Sequence, residues 1–342
     1  MSVWNEMKYE DVVAVIREKG CCAGKVNPTE YHSWKARLAE EFGCPVVSKS
    51  ALHDFAENAY RYHYNLTHGV RKESIGFRMG SMVDTAVLTP YLWDSLYVKP
   101  WEPSEPKEPK RKKDGTPYAN GAQDPAQKER WEQEEAEFTA RCEREGITIL
   151  KEDELERVRE IAEQATEHLD ACGLALGETY QSQIGLFMYV DELDGAKLPK
   201  PLLVTGMIDI CPDADSSNGG SLWDLKTTSK DPSAKDGLFY AIEDYRYGIQ
   251  AALYLDMFNN CTGQKRESFA FLFVGTVSPA MSCVVRLTAG DIDVFRMDYK
   301  ALLFRYSEAC AEDYWGEPTL PDAYYVPTRR EAERFGRLMR GE

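Results

Sequence analysis

The sequence lacks the features that mark several classes of protein. Its 342 residues contain no run of 18 or more apolar residues, so no membrane-spanning helix is predicted. The N-terminus, MSVWNEMKYEDVV, has no basic segment followed by an apolar one, so we expect no signal peptide and a cytoplasmic location. The nine cysteines form no C-x-x-C pair and the five histidines form no H-x-x-x-H pair. We therefore expect free thiols.

An excess of basic residues is also missing, since the formal net charge is −16 at pH 7. This balance argues against a protein that coats nucleic acid, because the affinity of such proteins comes from neutralising phosphates. An enzyme that threads DNA through a channel needs only a local basic lining, and its exterior can be acidic. Lys49, Arg61 and Arg78 in the N-terminal part could supply that lining.

The segment VTGMIDICPDADSSNGGSLWDLKTTS, residues 204–229, carries the strongest chemical pattern. Asp209 lies near the end of one apolar, alternating run, and Asp224 and Lys226 lie on the next. Residues two apart in a strand share a face, so Asp224 and Lys226 point the same way. The turn formers in DADSSNGG predict a hairpin that brings Asp209 beside Asp224. Two carboxylates with a lysine can bind Mg²⁺ and steady a phosphate or water, as in the PD-(D/E)XK nucleases.

A D-x-K pattern also occurs by chance on a solvated strand edge, and this alternative has to be weighed first. Leu222, Trp223 and Leu225 indicate a largely buried strand, where charged side chains are rare unless they are paired or bound to metal. The following segment, DYRYGIQAALYLDMF (244–258), is typical of a helix. On that helix Tyr247, Gln250 and Tyr254 share one face, so an amide is presented among aromatic rings.

Several motifs, taken together, resemble the nuclease domain of the RecE/exonuclease VIII group. GMIDI, WDLKTT and Y-x-Y-x-I-Q-A-A-x-Y carry the first part of the resemblance. Upstream, and in the family's order, come SKSALHDFAENAYRYHY (48–64), FRMGSMVDTAVLTPYLWDSLYVKP (77–100) and GITILKEDELERVREIAEQATEHLDA (146–171). The resemblance covers about residues 45–310. It implies an α/β fold with a PD-(D/E)XK restriction-endonuclease-like core, a mixed central β-sheet flanked by helices.

The resemblance also implies an activity, a cofactor and partners. Members are phage-type 5′-to-3′ exonucleases on double-stranded DNA, so we expect a Mg²⁺-dependent enzyme, with Mn²⁺ as a substitute, from a phage or its bacterial host. Digestion would leave a 3′ single-stranded overhang for recombination by strand annealing. Relatives form homo-oligomeric rings around DNA ends and act with a RecT-like single-strand annealing protein.

The expected site residues follow from the pattern and the resemblance together. The expected metal ligands are Asp84, Asp209, Asp224 and the carbonyl of Leu225. The expected catalytic residues are Lys226, which orients the attacking water, Asp209, Asp224 and Gln250. The expected substrate-binding residues are Lys49, Arg61, Arg78, Gln183, Tyr247 and Tyr254.

Two positions depart from the family. Asp84 stands where relatives carry a metal-binding histidine, and Gln183 stands where they often carry a glutamate. Aspartate is a hard donor that suits Mg²⁺, whereas glutamine offers only a neutral carbonyl oxygen, so one or two metal ions are both possible. Two other functions stay open: another endonuclease on the same fold, and a catalytically weakened DNA-end-binding protein.

Composition shifts along the chain predict its organisation. We expect a helical extension over residues 1–45, the nuclease domain over 46–315 and a C-terminal tail with a helix over 316–342. The Pro/Gly-rich segment at about 101–125 is predicted to be a flexible insert. Strands are predicted in ETYQSQIGLFMYVDE, PLLVTGMIDI, SLWDLKTT, SFAFLFVGTV and SCVVRLT.

Overall fold

The computed structural model describes residues 4–70, 75–113, 115–117 and 123–318. Its helices are α1 (Tyr9–Lys19), α2 (Pro28–Phe42), α3 (Lys49–Glu57), α4 (Ala59–Thr67), α5 (Ile75–Leu88), α6 (Trp93–Leu96), α7 (Pro125–Glu145), α8 (Glu152–Ala171), α9 (Lys235–Asp244), α10 (Tyr247–Thr262) and α11 (Ala289–Glu312), with a 3₁₀ turn at Pro90–Leu92. Its strands are β1 (Cys21–Lys25), β2 (Val46–Ser48), β3 (Tyr97–Val98), β4 (Thr148–Ile149), β5 (Tyr180–Leu193), β6 (Ala196–Pro212), β7 (Ser221–Thr228), β8 (Ser268–Gly275) and β9 (Ser282–Leu287).

A seven-stranded sheet forms the centre of the fold, in the order β1-β5-β6-β7-β8-β9 with β2 paired to β6. Strands β7 and β8 are parallel, as are β2 and β6, while the other pairings are antiparallel. Two parallel strands need a long connection between them, and α9 and α10 supply it for β7 and β8. The predicted α/β architecture, a mixed sheet with a crossover and flanking helices, is confirmed.

Both faces of the sheet are covered by helices. Phe269, Phe271 and Phe273 of β8 belong to the core on the side of α10 and α11. The alternate residues Ala270 and Leu272 belong to the core on the side of α5 and α8. A strand buried on both faces has no polar side, which explains why SFAFLFVG is apolar after its first residue.

Two glycines allow α10 to approach its neighbours closely. A Cβ atom at Gly248 would lie 2.3 Å from the ring of Phe295 on α11, and one at Gly206 of β6 would lie 2.6 Å from the ring of Tyr254. Such distances are far below van der Waals contact, so both positions require glycine. Gly206 therefore lets Tyr254 rest on the sheet, and this contact fixes the height of α10 above β6.

The N-terminal segment contributes a strand that the sequence did not indicate. The helical extension predicted over residues 1–45 contains the helices α1 and α2, but it also contains the strand β1. This strand pairs with β5 at one edge of the main sheet, from Cys21 opposite Met188 to Lys25 opposite Ile184. A five-residue strand without alternating polarity gives little local signal. The strands β2, β3 and β4 are shorter still and were also not predicted.

The other predicted elements can be compared directly with the described residues. All five predicted strands are present, as β5 to β9. The helix predicted over 244–258 begins only at Tyr247. Arg246 has a φ of +49°, a left-handed conformation that separates α9 from α10. The predicted C-terminal helix lies outside the described residues. The domain boundaries stay predictions, as does the flexibility of the insert at about 101–125. Every helix in the described part is too short or too polar to cross a bilayer.

Candidate active site

The hairpin of β6 and β7 brings two aspartates together, as the sequence predicted. Ile210 of β6 pairs with Trp223 of β7, so the antiparallel register places Asp209 opposite Asp224 one residue further along. The backbone N–H of Leu225 donates a hydrogen bond of 3.1 Å to Oδ2 of Asp209. The carboxylate of Asp209 is thereby tied to the strand that carries Asp224.

Gln183 extends this pair to a third strand. Ser182 and Ile184 of β5 pair with the residues of β6 on either side of Asp209, which places Gln183 opposite Asp209. Gln183 has a φ of +59°, a left-handed backbone that costs free energy for any residue other than glycine, and its side chain is buried. Residues held in such a conformation cluster at functional sites.

Lys226 and Gln250 surround the carboxylate of Asp224, which is 2% exposed. The Lys226 Nζ atom lies 2.5 Å from Oδ2 of Asp224 as an ion pair. The Nε2 atom of Gln250 on α10 donates a hydrogen bond to Oδ1 of the same carboxylate. Asp224 therefore has one partner on its own strand and another on the crossover helix.

Tyr247 lies between two lysines. Its ring centroid is 4.9 Å from Nζ of Lys226 and 4.8 Å from Nζ of Lys49, which comes from α3. Lys49 also donates a hydrogen bond of 2.6 Å to the carbonyl oxygen of Tyr245. An aromatic face attracts cations, so this ring holds both amines at the site.

All these side chains line one cavity of about 690 Å³. Asp84 on α5 also lines this cavity, although it precedes Asp209 by more than 120 residues in the sequence. The predicted site residues that line the cavity are Lys49, Asp84, Gln183, Asp209, Asp224, Leu225, Lys226, Tyr247, Gln250 and Tyr254.

Burial and charge repulsion set the electrostatics of the carboxylates. Burial, with a smaller contribution from Asp224, raises the pKa of Asp84 to about 7, although Lys226 opposes the shift. Burial, then Asp224 and Asp84, raise the pKa of Asp209 well above its usual value. Burial lowers the pKa of Lys226, but Asp224, Tyr247 and Asp209 together outweigh burial and the net shift is upward. Burial and nearby Lys226 lower the pKa of Lys49 to about 7.

The donor set fits a hard divalent cation. Asp84, Asp209 and Asp224 lie together in this cavity, and burial and their mutual repulsion raise the pKa values of Asp84 and Asp209, so a bound cation would stabilise their charged forms. Carboxylate oxygens are the ligands that Mg²⁺ prefers. Within the described residues, no three His, Cys, Asp or Glu side chains already stand as a metal-binding group.

Two predicted substrate-binding arginines lie elsewhere. Arg78 of α5 forms an ion pair of 3.1 Å with Glu154 of α8, and neither Arg78 nor Arg61 lines the cavity. Their contact with DNA stays a prediction for a surface outside the cavity. His53 and Tyr245 are among the lining residues that had no assigned role. Tyr245 could have been found from the sequence, because it is the first tyrosine of the Y-x-Y motif. His53 lies in the motif at 48–64, but nothing in that motif indicates that its side chain reaches the site.

We expect Asp84→Asn to stabilise the protein in EDTA at pH 8 and to leave its stability nearly unchanged at pH 4. The folded-state pKa of Asp84 is above its unfolded value, so its favourable contribution is fully present below pH 4 and is lost as pH rises through about 7. A neutral amide avoids this loss, which is on the order of 2–4 kcal/mol for a shift of this size. Thermal unfolding of both proteins at the two pH values measures the difference. An equal change in stability at pH 8 and pH 4 would contradict the raised pKa of Asp84.

Comparison with known proteins gives two findings. A family model described as the PD-(D/E)XK nuclease superfamily matches residues 46–300. The fold is similar to a crystal structure from Eubacterium rectale that is called a "Putative exonuclease", with 15% sequence identity and a TM-score of 0.46, covering 87% of this chain and 96% of that chain. A likeness at this identity and TM-score supports no functional inference. Comparison with curated proteins finds no match.

Proposed function

Because this chain belongs to the PD-(D/E)XK nuclease superfamily, we propose that it is a metal-dependent 5′-to-3′ exonuclease that digests linear double-stranded DNA and leaves a 3′ overhang. The observation that carries the proposal is the pairing of Asp209 with Asp224 beside Lys226 in one cavity. The direction of digestion rests on the resemblance of five ordered motifs to the RecE/exonuclease VIII group. A homo-oligomeric ring and a RecT-like annealing partner are proposed on the same resemblance.

The residues of the cavity have different roles in phosphodiester hydrolysis. Asp84, Asp209 and Asp224 would hold Mg²⁺ or Mn²⁺, with the Leu225 carbonyl as a further ligand. Such a cation, when bound, lowers the pKa of water and polarises a phosphate oxygen. A water oxygen forms a bond to phosphorus, one P–O ester bond breaks, and the leaving oxygen takes up a proton. Lys226 places its ammonium where negative charge develops on the phosphate oxygens.

Gln250 and Tyr247 act through these groups. Gln250 holds Asp224 through its hydrogen bond to Oδ1, which fixes the direction of the carboxylate. Tyr247 limits the positions of Lys226 through its ring. Both residues come from the first turn of α10, so the crossover helix positions the carboxylate and the cation together.

The experiment that tests the function uses linear duplex DNA labelled at either the 5′ or the 3′ end, incubated with Mg²⁺ and sampled over time. We expect the 5′ label to appear in mononucleotides at once and the 3′ label to stay in long strands. Closed circular duplex of the same sequence should remain intact, since it has no ends. Cleavage of the circle would favour an endonuclease, and release of the 3′ label first would reverse the direction. Binding of ends without any cleavage would favour a non-catalytic end-binding protein.

Asp84 gives a separate test of the metal site. We expect Asp84→Ala to raise the Mg²⁺ concentration needed for half-maximal rate by about tenfold or more, since a charged hard ligand is lost. Asp84→His should restore part of the affinity, because relatives carry an imidazole at this position. Calorimetric titration with Mg²⁺ and the rate at each concentration measure both effects. A wild-type metal response in Asp84→Ala would leave the site with two carboxylates only.

A further inference from the structure

A second cavity, of about 430 Å³, lies on the other side of Lys226. Its floor is the end of β7 and the following turn, and its walls come from the start of α5 and the end of α9. The residues that it shares with the first cavity are Phe77, Ser81, Asp84, Leu225, Lys226, Tyr245 and Tyr247. The two cavities therefore meet over the catalytic residues, and a strand whose scissile phosphate lies at Lys226 has room on both sides.

The lining of the second cavity suits a phosphate group. Aspartate and glutamate make up 57 of the 342 residues, yet Asp84, at the shared border, is the only acidic residue among the described lining. Away from that border the lining offers the hydroxyls of Thr227, Thr228 and Ser229 and the amine of Lys230. Lys230 is exposed and forms no ion pair within the described part of the chain. Ammonium and hydroxyl donors without nearby carboxylates are typical of an anion site.

Helix α5 lies close to the end of β7 at Gly80. A Cβ atom at Gly80 would lie 3.2 Å from Oγ1 of Thr227, closer than most Cβ contacts. Glycine at this position therefore brings the helix close to the hydroxyl side of the strand without closing the space between them.

The mouth of the second cavity carries exposed aromatic rings. Tyr245 is 55% exposed, and its ring lies 5.5 Å from that of Tyr247 at an angle of 30°. Phe77 on α5 borders the same opening and is 70% exposed. An aromatic ring that is supported on one side and exposed on the other is a surface on which a nucleobase can stack.

We propose that the second cavity binds the nucleotide that flanks the scissile phosphate on the side away from Lys49, with its phosphate at the Thr228–Lys230 turn and its base against Tyr245. The volume falls in the range of about 300–1,000 Å³ that is common for small-ligand sites. The ligand class is a deoxynucleoside monophosphate unit of the cleaved strand. This inference rests on the proposed nuclease function and adds a subsite to it.

The test measures the binding of dAMP and of 2-deoxyribose 5-phosphate, which lacks the base, by calorimetry in Mg²⁺. Tyr245→Ser should weaken dAMP binding about tenfold, as the loss of one base–aromatic stack does, and leave the sugar phosphate unchanged. Lys230→Ala should weaken both ligands, since both carry the phosphate. Lys230 lines only the second cavity, so its effect locates the ligand there.

Matched controls are available on the same chain. Tyr314 is 56% exposed and Lys265 is exposed, and neither lines a cavity over the catalytic residues, so Tyr314→Ser and Lys265→Ala should bind both ligands as wild type does. Lys49→Ala probes the first cavity. If Lys49→Ala weakens dAMP binding while Lys230→Ala and Tyr245→Ser do not, the nucleotide lies in the first cavity and the proposal is wrong.

The binding measurement needs no turnover, so it fails independently of the nuclease proposal. Tyr245- and Lys230-dependent binding in a protein that cleaves no DNA would support the subsite and overturn the nuclease. If the protein cleaves linear DNA but neither Tyr245→Ser nor Lys230→Ala changes nucleotide binding, the nuclease proposal is supported and the subsite proposal is wrong.

Discussion

Asp209→Asn and Asp224→Asn should each lower the rate of DNA cleavage at least about a thousandfold, a loss of about 4 kcal/mol in transition-state stabilisation. Each substitution keeps the shape of the side chain and replaces a charged ligand with a neutral one. In Asp224→Asn the Oδ1 atom can still accept the hydrogen bond from Gln250, but an amide nitrogen replaces the Oδ2 atom that pairs with Lys226, so thermal unfolding of the variant is measured beside its rate. A loss of rate in a folded variant then reports charge rather than misfolding.

Mg²⁺ titration calorimetry and cleavage of linear duplex DNA check this result. Asp256→Asn is the matched control, because Asp256 is also an aspartate paired with a cation, Arg296, but lies outside the catalytic cavity. It should cost stability without a comparable loss of rate. Unchanged Mg²⁺ affinity in both active-site variants would mean that the metal binds elsewhere.

Lys226→Ala should lower turnover at least about a hundredfold, as removal of one electrostatic transition-state contact typically does. The structure adds a second consequence, because Lys226 is the counter-ion of a buried carboxylate. Its removal leaves Asp224 buried without a cation, which destabilises a fold. We therefore expect a lower melting temperature in EDTA, with part of the loss recovered when Mg²⁺ is added and supplies the missing charge.

Rates of Lys226→Ala should be measured well below its melting temperature. Lys226→Met, which retains an apolar stem, gives a second variant whose folding is better protected. Lys265→Ala controls for the loss of an exposed lysine outside the cavity. Near-normal digestion by both Lys226 variants would remove the lysine from the mechanism.

The core of the site could be predicted because its geometry is local. Asp224 and Lys226 share a face through the two-residue period of one strand, and turn formers between β6 and β7 fix the hairpin that adds Asp209. Tyr247, Gln250 and Tyr254 share a face through the period of one helix. Each relation spans few residues, so the sequence pattern by itself determined it.

The remaining geometry depends on contacts between distant parts of the chain. The position of Gln183 opposite Asp209 is set by the register of β5 on β6, and a shift of one residue would turn its side chain to the other face. Asp84 and Lys49 reach the cavity because α5 and α3 pack on opposite faces of the sheet. Local pattern carries no information about such packing.

The sequence by itself therefore determined the nuclease motif, the positions of the five main strands along the chain and the face of α10 that carries Gln250. Only the tertiary structure decided that Arg78 pairs with Glu154 instead of lining the cavity, that β1 completes the sheet edge, and that a second cavity continues past Lys226. The physical reason is the range of the interactions involved. Strand and helix periods act over a few residues, whereas ion pairs, sheet edges and cavities form where elements far apart in sequence pack together.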